Sequence, residues 1–131
     1  MNAWERIIGN LGLKAHPEGG WYRQTWQSEK AFSAELLPEH AGGRPAATSI
    51  YFLMTAGNFS AFHRLKSDEV WYYHAGDALE VIIIHPDGRL ESPCIGNVLD
   101  GFEAQLAVPA DCWFASRVRE GCRWSLVGCA V

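Results

Sequence analysis

Apolar positions along this chain follow two rhythms. Over residues 2–12 they recur with helical spacing, Trp4, Ile7, Ile8 and Leu11 forming one stripe. Asn2 stands where a cap belongs and Gly12 where a helix ends, so the spacing predicts one short amphipathic helix within residues 1–13. A turn cluster follows, His16-Pro17-Glu18-Gly19-Gly20, and then an aromatic, Thr-containing run, Trp21–Trp26, that predicts a strand. Residues 28–46 are polar and carry Pro38, Gly42, Gly43 and Pro45, which indicates a long exposed loop holding at most a turn of helix.

Beyond residue 47 the rhythm shortens to that of strands. Thr48–Met54, Ser60–Leu65, Glu69–Ala75, Leu79–His85, Arg89–Ser92, Phe102–Val108, Cys112–Arg117 and Arg123–Val131 are separated by turn residues. Pro86-Asp87-Gly88 joins two of them as a tight hairpin. Regular short strands of this kind predict an all-β antiparallel barrel or double-sheet sandwich. The expected organisation is one domain over residues 1–131: helix 1–13, N-terminal strand and loop 14–46, barrel core 47–131. Such a barrel encloses a space that side chains fill or leave to a ligand.

Composition narrows the partners. With 131 residues, 48% hydrophobic and 20% charged, the chain has an ordinary globular balance and is not a disordered one. A net charge of −4 offers no electrostatic footprint for a nucleic-acid polymer or an anionic membrane. The apolar stretch Val81–Ile84 is too short to span a bilayer. Residues 1–13 contain Glu5 and lack a basic start, so no secretory leader is expected and the expected location is cytoplasmic. Cys94, Cys112, Cys122 and Cys129 form no C-x-x-C pair and read as small apolar side chains on strands without chemistry.

The densest chemistry lies in GNFSAFHRLKSDEVWYYHAG, residues 57–76. With a period of two, residues 61, 63 and 65 share one strand face, and 69, 71 and 73 share a face of the next strand. His63 and Glu69 are thereby expected to converge inside the barrel, where imidazole and carboxylate bind a metal or exchange a proton.

The same segment resembles the first motif of the cupin superfamily, G-x5-H-x-H-x3,4-E-x6-G, in its first His, its Glu and both glycines, with Leu65 in place of the second His. The second motif, G-x5-P-x-G-x2-H-x3-N, is met only loosely, Asp111 standing for its Gly and Phe114 for its His. Over nearly the whole chain the sequence resembles the Cupin_5 family of small cupins, which has no established general activity. That resemblance rests on HPEGGWYRQTW (16–26), TSIYFL (48–53), FHRLKSDEVWYYHAGD (62–77) and VPADCWFAS (108–116). It implies a cupin double-stranded β-helix, a jelly-roll barrel with a short N-terminal helix, and commonly a homodimer. It also implies a short aromatic and acidic tail, which does not follow Val131 here. Only His63 and Glu69 remain of the superfamily's four usual ligands. No metal cofactor is therefore expected, and a weak divalent ion completed by water would fall to these two residues.

The expected function is binding of a small molecule, a sugar or nucleotide-linked ligand, with metal-independent acid/base chemistry of the epimerase or isomerase kind. The alternatives are a non-catalytic ligand-binding barrel and a weak metal site. His63 is the candidate base, Glu69 orients it through a direct hydrogen bond or stabilises its charge, and Tyr73 is the candidate acid. Trp71 and Tyr73 share the Glu69 face, either to stack on a flat ligand or to fill the core. Gln105, Trp113 and Phe114 belong to or flank the second motif and are candidate rim residues. Tyr22 and Arg23 are candidates to reach a ligand phosphate or carboxylate from the mouth. Glu18 with its glycines reads first as a special turn. His16, His40 and His85 read as exposed, and His74 as a strand-end or interface residue. A homodimer is expected to cover the lone helix and the Trp21–Trp26 strand.

Overall fold

The computed structural model describes residues 1–40 and 42–131; Ala41, inside the expected 28–46 loop, lies outside the described residues. Helix α1 (Ala3–Leu11) is capped as its sequence requires. Asn2 accepts a hydrogen bond from the Glu5 N–H, and Gly12 takes the left-handed conformation that closes the C-terminus. The strands are β1 (Lys14–Ala15), β2 (Trp21–Gln27), β3 (Ala31–Phe32), β4 (Arg44–Pro45), β5 (Thr48–Thr55), β6 (Phe59–Arg64) and β7 (Glu69–Gly76). They continue with β8 (Leu79–Ile84), β9 (Leu90–Glu91), β10 (Cys94–Ile95), β11 (Gln105–Val108), β12 (Trp113–Val118) and β13 (Trp124–Ala130).

Two antiparallel sheets carry the fold. One runs β1-β2-β5-β13-β7-β11, the other β10-β8-β12-β6 with β9 paired to β8. Alternation along each strand places one set of side chains between the sheets. Phe52, Met54, Trp71, Leu79, Val81, Ile83, Val108, Phe114 and Val127 form this inner core. A second apolar layer lies on the outer face of the six-stranded sheet. There the α1 stripe of Trp4, Ile7, Ile8 and Leu11 packs on Leu13, Leu53 and Leu126, with Trp4 and Trp21 ring centroids 5.5 Å apart. Among the described residues no helix is long and apolar enough to cross a membrane.

The all-β expectation is met, with local differences. The 28–46 segment contains a small β3–β4 pairing, Ala31 opposite Pro45 and Phe32 opposite Arg44, and no helical turn among its described residues. The Trp21–Trp26 strand is not detached. It pairs with β5 along its length, and its Trp21 lies under α1, while Trp26 at its far end is exposed. A short 3₁₀ turn, Val98–Asp100, and strand β10 occupy a stretch without a strong pattern. The hairpin at Pro86-Asp87-Gly88 forms as read, closed by the Gly88 N–H donating to His85 O and the Asp87 side chain accepting from Arg89 N. All four cysteines are free, Cys112 and Cys129 buried and Cys94 and Cys122 half-buried.

Candidate functional site

His63 and Glu69 do open onto one cavity between the sheets, but the route differs from simple alternation. Strand β6 carries a bulge. His63 faces Phe114 and Ser60 faces Ser116, so three steps on β6 match two on β12. The extra residue puts Ser60 and His63 on the cavity side, whereas the expected partner Ala61 is exposed. Ser60 is held there by Ser116, whose backbone N–H and hydroxyl both lie 2.9 Å from its Oγ.

The expected His63–Glu69 hydrogen bond is absent; His63 is held by Glu18 instead. Its Nδ1 lies 2.9 Å from the Ala61 carbonyl and 3.1 Å from Glu18 Oε2. Both neighbours accept, so Nδ1 carries the proton and Nε2 is left as the basic nitrogen. Glu18 reaches this place because its turn lies flat against β6, the Ala61 N–H donating to Glu18 O at 2.8 Å. Gly19 makes that contact possible, since a Cβ there would sit 2.1 Å from the Phe59 carbonyl oxygen. His16, from the same turn, accepts the Glu18 N–H at Nδ1 and sits edge-on to Tyr22 at 4.7 Å. Burial holds its pKa below the ordinary value, Glu18 acting against this and His63 with it.

The cavity is lined by His16, Glu18, Phe52, Ser60, His63, Glu69, Trp71 and neighbouring apolar groups, and measures about 60 Å³. Its floor is unusual. Glu69, 8% exposed, is pushed up to about 7 by burial, the nearby Trp71 indole pulling weakly the other way without meeting hydrogen-bond geometry. The Trp71 indole N–H is itself buried and unpartnered. One wall is Phe114, whose ring lies 4.2 Å from that of His63.

The remaining sequence candidates are dispersed. Trp71 is 2% exposed and wedged edge-on against Phe52 and Phe114, so neither ring face is free for stacking. Tyr73 does not line the cavity. Its hydroxyl donates to Gly76 O at 2.6 Å, and burial, Asp100 and Asp77 raise its pKa, which suits it poorly to give up a proton. Trp113 lies exposed beneath the Arg64 guanidinium, 5.1 Å from its ring, because the neighbouring Phe114 takes the inward position. Gln105 is exposed and paired with Tyr72, which puts it on the outer face of the six-stranded sheet. Tyr22 points inward beside His16; Arg23, one residue on, points outward over Tyr51.

Three histidines read as exposed are half-buried. His16 lines the cavity, His40 bonds Ser67 at 2.9 Å, and His85 lies 2.5 Å from Glu91 and 3.5 Å from Cys112 Sγ. Sequence reasoning therefore missed His16, Glu18 and Ser60 as cavity residues. The signal that could have found the first two is the Gly19-Gly20 pair, which marks a turn pressed against another chain segment. A larger open cleft of about 740 Å³, lined by Phe59, Phe62, Glu80, Ile82 and Arg117, lies on the outer face of the five-stranded sheet and holds none of these groups.

Leu65 and Phe114 have no lone pairs, and among the described residues no group of three His, Cys, Asp or Glu is disposed to hold an ion.

Comparison with known proteins gives one consistent result. A family model described as "Cupin superfamily (DUF985)", Cupin_5, matches residues 5–131. The structure is similar to protein SO0799 of Shewanella oneidensis, with 39% identity, a TM-score of 0.85, and coverage of 100% of this chain and 78% of that one. It is also similar to a hypothetical protein of Leishmania major, with 35% identity, a TM-score of 0.87, and coverage of 99% and 81%. An uncharacterized protein of Saccharomyces cerevisiae, YML079W, is 25% identical over 120 residues, 86% of this chain; the chain spans 59% of that relative's length.

Proposed function

We propose, from the premise that this chain belongs to the Cupin_5 family of the cupin superfamily, that it binds a small sugar-like carbonyl compound and transfers protons on it without a metal. The jelly-roll barrel is the fold of that superfamily; the chemistry is our reading of the cavity. One observation carries it. Two carboxyl groups share one cavity with one imidazole: Glu18, half-exposed against His63 Nδ1, and Glu69, buried on the floor with its pKa pushed up to about 7. A buried carboxyl kept neutral near pH 7 is suited to donate a proton to a ligand oxygen.

In this reading Nε2 of His63 takes the proton from the carbon beside the ligand carbonyl. The C–H electron pair forms a carbon–carbon double bond, the carbonyl pair moves to oxygen, and that oxygen takes the proton of neutral Glu69. Reversal on either face or at the neighbouring carbon returns both protons and yields an epimer or isomer. Glu18 holds the imidazole ring and stabilises its charge while it carries the extra proton. A cavity of about 60 Å³ admits only the reacting end of such a ligand, a larger nucleotide-linked portion staying outside. The donor set supports a route without metal, since no step needs one.

The test is proton exchange. The protein is incubated in D₂O with a panel of aldoses, ketoses and nucleotide-linked sugars, and the hydrogens beside each carbonyl are followed by NMR. We expect exchange with at least one member, falling about 100-fold or more in His63→Gln. Exchange with none, alongside ligand-induced thermal stabilisation, would leave a non-catalytic binding barrel.

A further inference from the structure

We infer that the indole N–H of Trp71 and the carboxyl of Glu69 together form an oxygen-binding floor, which takes the carbonyl oxygen of the ligand. This rests on the reading above and names the subsite through which it recognises its substrate.

A Trp side chain that is 2% exposed has exchanged water for protein nearly everywhere, and its single polar atom ordinarily finds a partner. Here that atom is buried without one, while the residue lines the cavity. Leaving a buried donor without a partner is costly, and a ligand acceptor recovers that cost on binding. The indole packs nearly perpendicular to both Phe52 and Phe114, ring centroids 6.1 Å away in each case, so it is held in place before the ligand arrives. Beside it stands the Glu69 carboxyl, on which the indole N–H acts and which in its neutral form carries an O–H of its own. A ligand oxygen reaching this floor meets both groups, and donors gathered at one point stabilise negative charge developing on a carbonyl oxygen. The remaining lining groups fit this polarity. Ser60 is engaged with Ser116, and Cys129, whose thiol burial holds well above its ordinary pKa, offers only a weak S–H donor. A hydroxyl oxygen can accept as well, but it brings a hydrogen of its own against two donors. A carbonyl brings only lone pairs.

Dihydroxyacetone and glycerol test the floor, because they differ only in a carbonyl against a carbinol. The chain has six tryptophans, hence six indole N–H signals in a ¹⁵N-labelled sample, assigned by side-chain correlation. We expect the Trp71 signal to move downfield progressively with dihydroxyacetone and to stay still with glycerol. Trp71→Phe keeps the packing surface and removes the donor; it should weaken dihydroxyacetone binding about tenfold and leave glycerol binding unchanged. A Trp71 signal that does not respond to dihydroxyacetone up to molar concentration overturns the inference whether or not the variant folds. So does a variant that loses both ligands equally. Proton exchange without a Trp71 response would sink the floor and leave the acid/base reading standing; a Trp71 response without exchange in any sugar would do the reverse.

Discussion

The two faces of the six-stranded sheet are built from the same strands and behave as opposites. On the outer face, α1 seals Leu53 and Leu126 under Trp4, Ile7, Ile8 and Leu11, a mainly apolar layer with the buried Thr55 at its edge. On the inner face, the alternate residues of β7 and β13 bring Glu69, the Trp71 indole and Ser125 into the interior, and both Trp71 Nε1 and Ser125 Oγ go unpaired there. One face is satisfied and the other is not. A sheet whose faces differ by one residue of register can thus concentrate stability on one side and keep reactive groups on the other, because between bulges side chains two residues apart stay on one side.

The largest expected break comes from the satisfied face. Leu53 is fully buried under the helix, and Leu53→Ala should cost about 4 kcal/mol through lost transfer energy and an unfilled cavity, read as a shift of the urea midpoint. The Trp71 response to ligand should persist in the fraction that remains folded. If both fail together at full folding, the two faces are not independent.

A smaller effect, of opposite sign, belongs to the reactive face. Glu69 has its pKa raised by burial from 4.5 to about 7 in the folded protein. The folded state therefore holds a proton that the unfolded chain releases. The associated stability is fully present below pH 4.5, declines as pH rises toward 7, and is lost above it. Glu69→Gln removes this titration, so the variant should be more stable than the parent at pH 8 by up to about 3 kcal/mol, with the difference vanishing at pH 4. Equal pH profiles for the two proteins would mean that the carboxyl is solvated rather than buried.

The third change acts where the turn crosses the sheet edge. Gly19→Ala places a Cβ against the Phe59 carbonyl at a φ of +113°, and should cost about 2 kcal/mol while moving Glu18 off His63. Proton exchange should fall about tenfold or more. Exchange at the parental rate would show that Glu18 does not position the base.

Much of this architecture follows from local chemistry. The Asn2 cap, the Gly12 stop, the Pro86–Gly88 turn and the two-residue alternation of Leu79, Val81 and Ile83 each depend on neighbours a few positions away, and each formed as its residues dictate. The motif spacing likewise placed His63 and Glu69 on strands that share a cavity. Other positions depended on pairings tens of residues apart. Tyr73 shares the Glu69 face by parity, and there a local contact decides, since its hydroxyl is taken up by the Gly76 carbonyl. Gln105 and Trp113 lie beside the second motif, yet pairing with Tyr72 and with Arg64 sets both on outer faces.

The sequence by itself determined where strands begin and end and which residues alternate, because sterics, capping and turn preferences act within a few bonds. Only the tertiary structure decided which alternate set faces the cavity, where the β6 bulge resets that alternation, and that Glu18 meets His63. Those outcomes turn on a backbone contact between segments some forty residues apart, Ala61 N to Glu18 O, and local chemistry carries no information about a partner that distant.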